Sequence, residues 1–357
     1  MSRNVTIGKT LIGDNTPTYF IADIAANHDG DFNRAKSLMR LAKEAGANAV
    51  KFQHHDVTKY VSDFGFKQLG QKFSHQSGWK KSIFQVYKDA EVPLNWTEGL
   101  KKYSEELKID FFSTPYDLEM VDYLSEFVLA FKIGSGDLAW HAMLSKVAKT
   151  KKPVLLATGA GEISEVKNAM DLLLNENKQI ILMQCNTNYT GDESNFKFIH
   201  LNVLKTYEVM YPDVILGLSD HTKGHETVLG AVSLGAKVIE KHFTDDTTRK
   251  GPDHPFSMDP ETWREMVIAT RKLELSLGSY VKEVQENELE TYVLQRRAIR
   301  VIQDIREGTQ LKIDHFQFQR PCPRDSISIN AVNQLVGKLA ASDIESGDYL
   351  RNEHIQW

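Results

Sequence analysis

Cysteine is nearly absent. Only Cys185 and Cys322 occur in 357 residues, too few for a disulfide framework, so a reducing compartment is expected. No apolar run reaches the roughly 20 residues that a membrane-spanning helix needs. The first ten residues hold no apolar core of signal-peptide length, which makes a cytoplasmic location the expectation. Positive charge is not in surplus either. Lys and Arg number 43 against 48 Asp and Glu, a net charge of −5, so electrostatics give no case for nucleic acid as a partner. What is present, 41% hydrophobic and 25% charged, suits an ordinary globular chain with one large domain and one small one.

The stretch Val214–Met258 organises the rest. It reads V-I-L-G-L-S-D-H-T, then a helical pattern from His225 to Leu234 that stops at Gly235, then A-K-V-I-E-K-H-F-T and R-K-G-P-D-H-P-F-S-M. Both apolar runs are short, β-branched and bounded by Gly, the pattern of buried parallel strands. Side chains alternate along a strand, so Glu240 and His242 should share a face and Lys241 should point away. Ser219, Asp220 and His221 close the first of the two strands. Neighbouring strand ends line one pocket in a parallel α/β architecture. Two histidines there, with carboxylates alongside, form a candidate pair of metal ligands. Either histidine alone would read as an ordinary core or capping side chain.

Six strand–helix units precede this stretch. The strands are expected at Tyr19–Ile24, Ala49–Phe52, Asp110–Ser113, Ala130–Ile133, Pro153–Thr158 and Gln179–Cys185. A hairpin around Gly8 comes before them, and a helix from Pro260 to Leu277, with Gly278 after it, follows the last strand. Eight strands alternating with helices predict a (β/α)8 TIM barrel, for which roughly 250 residues is typical. An open doubly wound sheet is the alternative. It is disfavoured because no glycine-rich dinucleotide turn follows the first strand. Thr58–Val92 is long for a connection and carries Trp79 and several lysines, so a lid, a substrate loop or a partner surface is expected there.

Polar residues fall just after the strands, where barrel enzymes keep their catalytic groups. They include Asp23, Asn27, His28, Lys51, Gln53, Thr114, Lys132, Ser135, Asp137, Thr158, Asn186, Tyr189, Ser219, His221, Glu240 and His242. Lys51 and Lys132 each close an apolar strand, so both should turn into the rim. Two ammonium groups among hydroxyls suit a phosphate- or carboxylate-bearing anion. Metal, anion site and carboxylates together point to a metal-dependent barrel lyase or transferase.

Residues 1–280 are thus expected to form the barrel, 281–295 a polar linker and 296–357 a small β-rich unit. That unit contains a near-repeat, D-I-R-E-G-T-Q-L-K-I-D-H-F (304–316) and D-I-E-S-G-D-Y-L-R-N-E-H-I (343–355), with turns at Gly308 and Gly347.

In order and spacing, several short motifs resemble the sialic acid (N-acetylneuraminate) synthases and their nonulosonic acid relatives. They are A-N-H-D-G (26–30), K-F-Q (51–53), S-T-P (113–115), K-I-G-S-G-D (132–137), T-G (158–159), G-L-S-D-H-T (217–222), E-K-H-F-T (240–244), G-P-D-H (251–254) and F-S-M-D-P (256–260). The tail, with Q-R-P at 319–321, resembles the antifreeze-like, or SAF, domain. The resemblance implies condensation of phosphoenolpyruvate with an N-acyl amino sugar such as N-acetylmannosamine. The products would be a nine-carbon 2-keto-3-deoxy acid and phosphate. It implies Mn2+ or Mg2+ on the histidines matching His221 and His242. It also implies phosphoenolpyruvate contacts from Lys51, Thr114, Lys132, Ser135 and Ser219, and sugar contacts from Gln53, Tyr189 and Asp253. Asp23, Lys51, Asp137 and Glu240 would carry catalysis. Arg320 matches an arginine that crosses to the partner subunit, which implies a domain-swapped homodimer.

The chain departs from the family pattern in places. Asp23 and Asp137 stand where Glu is usual, Ala157 where Ser precedes T-G, and C-N-T-N-Y-T where C-T-x-x-Y-P is usual. Arg320 is followed by P-C-P-R-D instead of P-G. Most of these positions lie where the sugar would bind. Legionaminate- or pseudaminate-type acceptors are therefore alternatives, as is a deoxy-sugar-phosphate synthase acting on a phosphorylated aldose. The latter would want an extra Arg or Lys cluster at the sugar end, and the sequence offers only the Arg249–Lys250 pair there.

Overall fold

A two-stranded hairpin, β1 (Asn4–Ile7) and β2 (Thr10–Gly13), leads into eight parallel strands. These are β3 (Tyr19–Asp23), β4 (Ala49–His54), β5 (Asp110–Pro115), β6 (Phe131–Ile133), β7 (Val154–Ala157), β8 (Ile180–Cys185), β9 (Ile215–Asp220) and β10 (Ala236–His242). They pair in sequence order, and β10 pairs with β3 to close the barrel. The computed structural model describes residues 3–70 and 74–357, with no side-chain description at 74 and 75. The chain divides into two units, one ending at Gly278 and the other spanning Ser279–Trp357.

Each strand has two faces, and both are covered. Outward residues such as Phe20, Val50, Phe111 and Leu216 join the helices in one large apolar core. Inward residues change character along the strand. Near the strand starts, Tyr19, Ile21, Ala49, Phe112, Leu155, Ile181, Met183, Ile215 and Val238 fill the interior, and Val5, Ile7 and Ile12 of the hairpin pack against them. Two residues further on, the inward positions turn polar. Period-two alternation therefore carries Val238 to Glu240 to His242, and Ala49 to Lys51 to Gln53. The interior is tight enough to demand glycine at 217, where a Cβ would lie 2.7 Å from the Val238 carbonyl oxygen.

Local signals set the helix ends. Asp31 accepts hydrogen bonds from the amides of Asn33 and Arg34 at the start of helix Phe32–Ala45, and Gly46 ends it at φ 103°. Asp259 and Thr262 form a reciprocal cap at helix Pro260–Leu277.

Among the described residues, the insertion after β4 holds three short α-helices, Val57–Tyr60, Asp63–Gln68 and Ile83–Asp89, and a 3-10 helix at Ser74–Gly78. Its residues 71–73 lie outside the described ones. It has its own small core of Val57, Val61 and Ile83, flanked by Phe66, Trp79, Phe84 and Tyr87. Its two ends are tied to each other and to the residue that follows β4. The Val57 amide donates to Glu91 Oε1 at 2.6 Å, and His55 Nε2 donates to the Tyr87 carbonyl at 2.9 Å.

The second unit pairs β11 (Ala298–Val301) with β12 (Phe316–Gln319), and β13 (Leu339–Ala340) with β14 (Ile355–Gln356). The two copies of the repeat bind each other reciprocally. Asp343 accepts from the Glu307 amide at 2.8 Å, and its counterpart Asp304 accepts from the Ser346 amide at 2.9 Å. Ile305 bridges its own counterpart, Ile344. Residues 281–295, read above as a linker, group with this unit, as do 279 and 280, which were assigned above to the barrel. Helix Leu289–Leu294 lies among them, and the Cys322 amide donates to Val293 at 2.9 Å.

Candidate active site

The polar inner layer opens at the carboxyl end of the barrel into a cavity. Register brings the candidates together. Asp23 lies beside His242 on one side and Lys51 on the other, and Glu240 lies beside Ser219.

At the base, Glu240 Oε1 accepts from Lys51 Nζ at 3.1 Å, Lys132 Nζ at 2.5 Å and Ser219 Oγ at 3.2 Å. Lys51 also meets Asp23 Oδ2 at 2.8 Å. The two lysines do converge, and they converge on carboxylates. Burial pulls Lys51 down, but Asp23 and Glu240 outweigh it and hold it at about 12. Burial wins at Lys132, which is lowered against the pull of Glu240. Glu240 is held at about 2, because Lys132 and Lys51 overcome the upward push of burial. Burial raises Asp23, with Lys51 opposing and Glu240 adding to the rise. Asp137 is pushed up to about 6 by burial alone.

His221 and His242 face each other with ring centres 5.3 Å apart, between Tyr189 and Phe256. Burial holds His221 at about 3, with His242 adding to the shift, and holds His242 at about 4 against the opposing charge of Asp253. Both are neutral imidazoles at pH 7, the form that ligates metal. Nδ1 of His221 hydrogen-bonds the Asn186 carbonyl at 2.8 Å. That contact fixes the proton on Nδ1 and leaves Nε2 as the lone-pair nitrogen. Nδ1 of His242 is buried without a hydrogen-bond partner. These two donors fit a divalent cation. Among the described residues no third His, Cys, Asp or Glu completes a ligand cluster, so water and substrate oxygens would have to fill the remaining positions.

Two more buried polar atoms of cavity residues, Thr114 Oγ1 and Glu240 Oε2, also lack a partner within the chain. Buried unsatisfied groups cost about 1–3 kcal/mol each, so their grouping at one cavity marks a place for a polar ligand. Ser135 Oγ accepts from the Gly159 amide at 2.9 Å. A Cβ at Gly159 would sit 2.6 Å from Thr187 and 2.9 Å from Ser135 Oγ, so glycine lets that amide approach. Gln53 donates to Asp23 at 3.2 Å, and Asp253 accepts from the Ala26 amide at 3.1 Å.

Several rim candidates belong elsewhere. Asp220 faces outward and pairs with buried Lys241 at 2.5 Å. Asn27 is bound to the Phe243 carbonyl and Ser257, and Thr158 to the Met183 carbonyl. His28 packs edge-on against Trp96. These side chains join strand ends to the surrounding shell. Arg320 is exposed on the second unit, just after β12. Sequence reasoning missed Cys185, which closes the inward row of β8, and the aromatic group of His55, Tyr60, Tyr87 and Tyr116 at the cavity wall. A tyrosine count in the insertion was the available signal.

A closed barrel holds two lysines and two carboxylates at the base of its cavity, with two buried histidines at its carboxyl rim. Residues 38–282 match the NeuB family and residues 296–356 match the SAF domain. The chain belongs to the NeuB family and carries a carboxyl-terminal SAF domain. It is 31% identical to the N,N'-diacetyllegionaminic acid synthase of Campylobacter jejuni, over 94% of this chain and 99% of that one. It is 31% identical to the human N-acetylneuraminate-9-phosphate synthase, over 96% and 94% respectively. The crystal structure of the N-acetylneuraminic acid synthetase of Leptospira borgpetersenii, in complex with citrate, superposes with a TM-score of 0.71 at 32% identity. That match covers 82% of this chain and 95% of the other.

Proposed function

We propose that this chain condenses phosphoenolpyruvate with an N-acyl amino sugar aldehyde to give a nine-carbon 2-keto-3-deoxy acid of the nonulosonic type, plus phosphate. The observation that carries the reading is the base of the cavity. Lys51 and Lys132 reach one point there, beside the unpartnered Thr114 Oγ1 and the Ser135 and Ser219 hydroxyls. A phosphorylated enol acid offers both a carboxylate and a phosphate to such donors.

In this scheme Lys51, Lys132, Thr114, Ser135 and Ser219 bind phosphoenolpyruvate at the base. Gln53, Tyr189 and Asp253 hold the sugar above it, and Arg320 of a second subunit completes its acyl end. A divalent cation, Mn2+ or Mg2+, would be held by His221 and His242 and would supply Lewis-acid polarisation of the aldehyde. The methylene carbon of phosphoenolpyruvate forms the new bond to the aldehyde carbon. Water adds at the former enol carbon, and the bond from that carbon to the bridging oxygen breaks, releasing phosphate. Asp23 and Asp137 carry the burial-raised pKa values suited to holding and moving a proton.

A second reading rests on a groove beside the cavity, which shares Trp79, Val86 and Pro252 with it and is lined by Lys80, Lys81, Arg249 and Lys250. Those cations favour a phosphorylated acceptor. Phosphate release from phosphoenolpyruvate over a panel of plain and phosphorylated amino sugars tests both readings. Release that depends on an amino sugar supports the condensation, and release that is indifferent to added sugar rejects it.

A further inference from the structure

Tyr60, Tyr87 and Tyr116 meet over the cavity, and the scheme above assigns none of them a role. Tyr60 and Tyr87 come from the insertion, and Tyr116 follows β5 directly. Ring centres lie 4.3 Å apart for Tyr60 and Tyr116, and 5.4 Å for Tyr60 and Tyr87. His55 sits edge-on to Tyr116 at 5.9 Å and hydrogen-bonds the backbone of Tyr87, so the group is held from behind. Tyr60 is 37% exposed, and all three rings line the cavity. In the strand order β5 stands opposite β9, which leads into His221. The aromatic wall therefore faces the histidine side across the mouth.

Among the described residues, the wall offers rings and phenol hydroxyls and no cation. The lysines among the described residues lining the cavity, Lys51 and Lys132, lie at its base and are bound to carboxylates. Asp253 also lines the cavity. A phosphate dianion against the three rings would meet no cation among the described residues of the wall and would have a carboxylate for company. An acetamido or methyl group would meet ring faces for its apolar part and hydroxyls for its carbonyl and N–H.

We propose that Tyr60, Tyr87 and Tyr116 select the acceptor, taking an amino sugar whose far end bears an uncharged acylamino or deoxy-methyl group in preference to a phosphate. This rests on the condensation reading for its turnover test, but binding tests it independently. Calorimetric titration of the full chain would use three probes: N-acetylmannosamine, its 6-phosphate, and a 2,4-diacetamido-2,4,6-trideoxyhexose. The trideoxy sugar should bind most tightly and the 6-phosphate most weakly. Tyr60→Ala should weaken the trideoxy sugar about tenfold, as loss of one aromatic contact would, and leave phosphoenolpyruvate affinity within about twofold. Tyr116→Leu, which keeps a large apolar side chain, serves as the second variant if circular dichroism finds the first unfolded. In turnover the acceptor KM should rise while kcat is largely kept.

Tightest binding of the 6-phosphate overturns the proposal and hands the far end of the sugar to the Lys80–Arg249 groove. Equal weakening of all three sugars by both variants also overturns it, because a wall that merely closes the mouth would not discriminate. Selective sugar binding without sugar-dependent phosphate release would leave the wall standing and reject the condensation.

Discussion

Replacing Asp220 with Asn should destabilise the barrel without touching the cavity. Asp220 and Lys241 sit opposite each other in the β9–β10 register on the outer face, with their side chains 1% exposed. Asp220 Oδ2 also accepts from the Thr222 and Thr227 hydroxyls at 2.8 Å, and Lys241 Nζ donates to the Thr222 carbonyl at 2.6 Å. Neutralising Asp220 strands a buried ammonium, which costs about 3–5 kcal/mol. For a barrel of this size each kcal/mol lowers Tm by about 2–4 °C, so a fall of about 6–20 °C is expected in a thermal scan. Asp220→Asn with Lys241→Met should recover more than half of the loss, since the double change removes both charges. Affinity for phosphoenolpyruvate should be unchanged at a temperature where the variant is folded. A Tm within about 2 °C of the parent, or a selective loss of phosphoenolpyruvate binding, would refute the reasoning and return Asp220 to the active site.

Lys132→Met should weaken phosphoenolpyruvate binding at least about tenfold while changing amino-sugar binding little; equal loss in titrations of both would mean that the lysine only holds the rim together. Asp137 binds its proton more tightly in the fold than in the unfolded chain, since burial lifts it from 3.8 to about 6. Its contribution to stability is therefore fully present below the unfolded value and is lost as pH rises through about 6, and Asp137→Asn should flatten that part of the stability–pH curve in denaturant titrations. Chelator treatment should abolish phosphate release and Mn2+ should restore it with the circular dichroism spectrum unchanged, whereas a His221→Gln, His242→Gln double variant should not be restored. Mixing an Arg320→Ala chain with a His242→Ala chain should recover activity in mixed dimers if Arg320 serves the partner's barrel; no recovery in confirmed mixed dimers would place it in its own barrel or in none.

The barrel was legible because each strand is a short apolar run closed by Gly or a polar residue, and because the runs recur at strand–helix spacing. The inward polar row followed from alternation, which correctly put Glu240 and His242 on one face and Lys241 on the other. Alternation could not separate a rim side chain from one that turns back into the shell. Asn27, His28 and Thr158 look like Asp23 or Thr114 in sequence, and only packing against Phe243, Trp96 and Met183 distinguishes them. The pairing of Lys51 and Lys132 with Glu240 was likewise invisible, because it joins strands 189 and 108 residues apart. The aromatic wall was hidden for a similar reason: Tyr116 meets Tyr60 only because the insertion folds back over the mouth.

Labelling the bridging oxygen of phosphoenolpyruvate with 18O tests the central claim most directly. With an amino-sugar acceptor, the label should appear in released phosphate, one phosphate for each unlabelled nine-carbon keto acid detected by mass spectrometry. Label retained in the keto acid, or phosphate formed without any keto acid, would contradict the account.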